Sequence, residues 1–140
     1  MAPMPQPVDA RTLGLVVAGG AVGVLARAAI VAPVIHTPAE VWVTFAVNVA
    51  GSLMLGVVVG FLGDRSASLR AFLGTGALGG FTTYSAFAVA SAQLLTTPWI
   101  GLALMAASLV AGVIAALMGL FIGRRLVDAP GEVERAEDAE

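Results

Sequence analysis

The 140 residues contain no cysteine, which excludes disulfides, thiolate metal sites and cysteine nucleophiles. Histidine occurs once, as His36 between Pro33 and Pro38, so no histidine cluster can form for a metal or for acid–base catalysis. Charge is scarce too. Acidic and basic residues make up 11% of the chain, standing mostly at its ends and in one loop. There is no basic patch for nucleic acid. The formal net charge of −2 is set by the C-terminal tail. With no nucleophile, base or metal cluster to assemble, an enzyme is not expected.

What remains is apolar: 59% of residues are hydrophobic and the mean hydropathy is +0.95. That composition belongs to an integral membrane protein and is too apolar for a soluble domain of this size. Crossing a bilayer core takes about 20 mostly apolar residues in a helix. Four runs qualify: Leu13 to Ala32, Val41 to Leu62, Ala71 to Leu95 and Trp99 to Ile122. The first is long and three more follow it, which favours a retained helix over a cleaved signal peptide. Proline-rich residues 1–11 read as a disordered N-terminus, 12–124 as a four-helix membrane domain, and 125–140 as a disordered acidic tail. Gly63 to Arg70 reads as a polar loop, and Pro98 suits the start of the last helix. Trp42 and Trp99 stand near span ends, where amphipathic rings favour the interface. The predicted fold is all-α, and four thin helices make a poor pore alone, so an oligomer is expected.

The third run is unusual. Gly76-Ala77-Leu78-Gly79-Gly80-Phe81-Thr82-Thr83-Tyr84-Ser85-Ala86-Phe87 places three glycines, two threonines and a serine at its centre, all weaker helix formers than alanine. Two readings fit. One is a helix broken near its centre, whose freed carbonyls face protein or water because lipid cannot satisfy them. The other is an intact helix whose small residues allow close packing.

Polar and small residues recur every four positions in the other runs: Gly19, Gly23 and Arg27; Thr44, Asn48, Ser52, Gly56 and Gly60; Ser108, Gly112 and Ala116. A four-residue step advances about 400° around a helix, so each set forms one slowly drifting stripe. Such stripes serve as packing seams. Asn48, mid-span, needs partners: a neighbouring helix or a polar path. Arg27 either snorkels to the interface or serves a site. No Asp, Glu, Lys or His lies within a run. A proton-coupled transporter needs such a group, so passive conduction is favoured. The positive Arg27, the Asn48 amide, hydroxyls and aromatic ring edges bias the spans toward an anion.

Three blocks together resemble the Fluc/CrcB family of fluoride channels: Gly19 to Gly23 leading to Arg27, Thr44 to Ser52, and Gly79 to Phe87. They occur in order on the first three runs, and the resemblance extends over roughly Leu13 to Arg124. It implies an antiparallel dimer of four-helix subunits in the cell membrane, with two narrow pores. It also implies a structural Na+ that is not transported, held by backbone carbonyls of Gly79 and Thr82, in keeping with the taste of hard cations for oxygen. Asn48, Tyr84, Ser85, Phe87 and Ser108 would line the pore, with Arg27 at a vestibule. Tyr84 stands where the family has a phenylalanine, and Leu104 where a tyrosine is common. The implied mechanism is passive: fluoride enters as neutral HF, ionises inside, and leaves through the channel, giving fluoride resistance.

Orientation follows from the arginines. With the N-terminus inside, Arg11, Arg65, Arg70, Arg124 and Arg125 all fall on the cytoplasmic side, and the opposite loops carry no Lys or Arg. Only Arg27 opposes them. This bias predicts one orientation, so an antiparallel pore would need a second, homologous subunit. A dual-topology homodimer is the alternative, reached if so weak a bias is tolerated. A non-conducting partner subunit and a small multidrug-type exporter are the other readings; the exporter would need a membrane-embedded carboxylate.

Overall fold

A computed structural model describes residues 9–85 and 98–127. Helix α1 is Ala10–Val31, and Asp9 caps it by accepting from the Arg11 amide. A single 3₁₀ turn, Ala32–Val34, follows. The reversal into α2, Ala39–Leu62, is tied down twice. The Glu40 carboxylate accepts from the His36 amide at 2.7 Å, and the Thr37 hydroxyl donates to the Val34 carbonyl at 2.6 Å. Gly63 ends α2 at φ 48°, where a residue without Cβ is least strained.

The stretch expected as a loop through Arg70 is shorter than that. Ser66 accepts from the Leu69 amide and starts a helix at Ala67, as serine does at an N-cap. This helix, α3, has three parts: Ala67–Leu69, a π-helical stretch Arg70–Leu78, and Gly79–Phe81. Such wide turns are rare and cluster at functional sites. Helix α4, Pro98–Val127, runs five residues past Ile122. Arg124 and Arg125 in its last turn favour that extension, because cations suit a helix C-terminus.

The helices pack as two pairs, α1 with α3 and α2 with α4, and α2 also meets α3. Glycine makes both pairings possible. A Cβ on Gly19 would strike the Phe72 carbonyl, and one on Gly23 the Ala77 carbonyl. In the second pair, a Cβ on Gly56 would strike the Ala116 carbonyl, and one on Gly119 the Leu53 carbonyl. Backbone therefore touches backbone along both seams, the small-residue packing that holds helices together in lipid. Outward faces stay apolar: Leu25 is 70% exposed, Leu109 65% and Trp99 77%. In water that surface would be prohibitive; in a bilayer it needs no cover. Helices α1, α2 and α4 are long and apolar enough to cross a membrane.

Candidate functional site at the α3 break

Helix α3 stops at Phe81. Thr82 is extended, at φ −80° and ψ 147°, and helical backbone returns at Tyr84 and Ser85. Of the two readings of this stretch, the described residues take the broken form. Its amides are accounted for one by one. The Thr82 amide and hydroxyl both donate to the Leu78 carbonyl at 3.0 Å. In a continuing helix the Thr83 amide would go to Gly79. Instead it donates to Asn48 Oδ1 at 2.8 Å, while Asn48 Nδ2 donates to the Thr83 carbonyl at 2.9 Å.

Asn48 thus offers the main chain of Thr83 one acceptor and one donor, as a neighbouring strand would. It can reach because Gly51, one turn on, leaves room: a Cβ there would stand 3.2 Å from the Phe81 ring and closer still to the Thr82 methyl. From the other side, Arg27 Nε donates to the Gly80 carbonyl at 3.4 Å. The break is therefore braced from α2 and touched from α1. The Thr83 and Ser85 hydroxyls lie 3.2 Å apart and continue the polar line.

A groove of about 360 Å³ opens beside the break. Its polar lining is Asn48, Ser52, Thr82, Thr83, Tyr84 and Ser108, and Leu109 and Val113 are among its apolar residues. Among the described residues, none that lines it is charged. Ser108 is buried and Tyr84 is 58% exposed. The arrangement offers hydroxyl and amide donors, without a carboxylate, to a small ligand that accepts hydrogen bonds.

The profile of the family described as "CrcB-like protein, Camphor Resistance (CrcB)" matches residues 14–120. The chain belongs to the CrcB family. It is 48% identical over 98 residues to the Fluoride-specific ion channel FluC 2 of Bacillus subtilis, covering 66% of this chain and 72% of that one. It is 46% identical over 114 residues to the Fluoride-specific ion channel FluC of Novosphingobium aromaticivorans, covering 76% and 90%. The FluC of Agrobacterium fabrum is 37% identical over 121 residues, covering 81% and 97%. Three membrane-length apolar helices in a CrcB chain make this a multi-pass membrane protein.

Of the residues singled out from the sequence, Asn48, Tyr84 and Ser108 share the groove. Ser85 adjoins it through Thr83. Thr82 lines it too, Gly79 starts the last helical turn before the break, Arg27 reaches the break from α1, and Phe87 lies outside the described residues. Leu104 packs with Val41, Phe45 and Met105 in an apolar cluster and does not line the groove. Two contributors escaped sequence reasoning. Thr83 and Gly51 stand in the quoted blocks, but only the fold reveals that one is Asn48's partner and the other the clearance for it.

Proposed function

We propose that this CrcB chain is a subunit of a fluoride-selective passive channel, exporting cytoplasmic fluoride down its electrochemical gradient. The observation that carries this reading is an uncharged, donor-lined groove at a braced helix break, in a chain whose relatives are named fluoride-specific ion channels. One Asn48 N–H is engaged by Thr83; its second, with the hydroxyls of Ser52, Tyr84 and Ser108, is available to an anion passing through. An inside-negative potential drives a monovalent anion outward by about 2.3 kcal/mol per 100 mV, so no coupled ion is needed.

In this reading the chain crosses the membrane four times, with the third crossing divided at residues 82–83. The groove is open along one side in a single chain, and an antiparallel second subunit closes it. The arginine bias favours a homologous second chain over a second copy. Residues Gly79 and Thr82 fit the structural Na+ site. Diversion of the Thr83 amide to Asn48 releases the Gly79 carbonyl from the helical ladder, and a ψ of 147° turns the Thr82 carbonyl out of the helix direction. A bound Na+ would supply a fixed positive charge there and hold the subunits together.

The test is fluoride efflux from liposomes, followed with a fluoride electrode, for the chain alone and with a homologous subunit. Efflux is expected in sodium and reduced when a large organic cation replaces it. No efflux from either preparation would overturn the channel; efflux only with the second subunit would assign the heterodimer. Unchanged flux after exhaustive sodium removal would remove the sodium site alone.

A further inference from the structure

At the arginine-rich end of the bundle, far along α2 and α4 from the break, the ends of these two helices and the turn after α2 enclose a second cleft of about 370 Å³. We propose that this cleft binds the headgroup of an anionic phospholipid from the leaflet at that end. It is lined by Phe61, Gly63, Asp64, Arg65, Arg124 and Val127 among others. The glycine seam puts the arginines there. At Gly60 a Cβ would stand 2.5 Å from the Leu120 carbonyl and 3.0 Å from the Arg124 amide, so the last turn of α4 is pressed against the end of α2.

The charges of the region are not equally available. Arg70 Nη1 donates to the Gly63 carbonyl at 2.8 Å and to Asp64 at 3.2 Å, which holds the turn and neutralises its carboxylate. Arg125 lies over the Phe121 ring at 4.8 Å. Arg65 makes one long bond, 3.4 Å, to the Phe61 carbonyl, leaving its other N–H groups outward. Arg124 has no acceptor among the described residues. Two exposed guanidinium groups therefore face one cleft whose lining carboxylate, Asp64, is already paired with Arg70. The ends of α2 and α4 contribute about half a negative charge each, against two full positive charges.

The apolar surroundings select the occupant. Phe61, which lines the cleft, is 47% exposed, and in the last turns of α4 Phe121 and Leu126 are 59% and 57% exposed. A phosphate with acyl chains matches both parts, and basic pockets at membrane-protein ends bind such headgroups. The competing occupant is the chain's own tail. Residues 128–140 carry six acidic side chains against one arginine and start beside Val127. That segment has the charge but little to place on the apolar wall.

The experiment uses the full chain in nanodiscs of equimolar phosphatidylglycerol and phosphatidylcholine, with retained lipids counted by native mass spectrometry. Phosphatidylglycerol should be retained in preference. Arg124→Gln and Arg65→Gln should each lower that preference about fivefold, the roughly 1 kcal/mol that one arginine contributes at an anionic surface. Arg11→Gln, which removes the same charge from the start of α1, should leave it unchanged. Phosphatidylcholine retention and monodispersity show that each variant is folded, and either arginine variant alone suffices if the other is not. Equal loss in Arg11→Gln would overturn the proposal, leaving only diffuse attraction. Displacement by millimolar inorganic phosphate would overturn it in favour of a free-anion site. A rise in phosphatidylglycerol retention on deleting 128–140 would overturn it in favour of the tail.

Discussion

Where α2 meets α4, Gly56 and Gly119 bring main chain against main chain, and both helices run on regularly. Where α1 meets α3, Gly19 and Gly23 do the same, yet α3 winds through nine π-helical residues and then breaks. Close approach is common to both pairs, so it does not account for the distortion. What differs is the neighbour on the remaining side. Among the described residues, a carboxamide, Asn48, bonds to the main chain of α3's break and replaces a helical acceptor and donor at the moment the helix lets them go. An unpaired backbone group in lipid costs several kcal/mol, and the carboxamide removes two such costs at Thr83.

The largest expected effect tests the shared half of the comparison. Gly119→Val and Gly23→Val each drive a side chain into a carbonyl that cannot rotate aside. Each should destabilise by about 3 kcal/mol or more, the upper end for overpacking, seen as loss of the monodisperse species in detergent. If Gly23→Val folded normally while Gly119→Val did not, the wide turns of α3 would be a compliant surface and the seams unequal in kind.

Next comes Asn48→Asp. A carboxylate can still accept from the Thr83 amide, but it sets a second oxygen against the Thr83 carbonyl and brings negative charge to the groove. Fluoride efflux should be lost, and stability should fall by about 1–3 kcal/mol, the cost of an unsatisfied buried group. Amide exchange at Thr83 would rise with it. Unchanged exchange beside lost efflux would mean that Asn48 serves the groove and not the break.

Arg27→Met should have the smallest effect. It keeps the apolar stem and removes one hydrogen bond at 3.4 Å, worth about 0.5 kcal/mol at such length. Its melting temperature should stay closer to the parent's than that of Asn48→Asp. A larger drop would make α1, and not α2, the principal support of the break.

The membrane helices were legible because apolar length is a strong signal, and α2 ends at Leu62 as the pattern requires. The weakness of Gly79 to Ser85 as a helix was legible too. Its resolution was not: Asn48 and Thr83 are 35 positions apart, and no local pattern pairs them. The π-helical turns have no composition of their own. The end of α4 was missed because Arg124 and Arg125 read as leaving the membrane, although long basic side chains let a helix continue into the interface. The stripe Ser108, Gly112, Ala116 was stopped about two turns early. Gly119 and Gly123 also press against α2, at the Leu53 and Val57 carbonyls, and their four-residue spacing was there to be read.

Two bonds from Asn48 run to main-chain atoms of residue 83, its N–H and its carbonyl. These two bonds place no demand on the side chain at position 83 beyond the presence of an N–H. Position 48 must keep a carboxamide of one length, whereas 83 is constrained by this contact only against proline. One member of the pair can drift over generations and the other cannot, so the pairing would leave no trace of correlated change between the two positions.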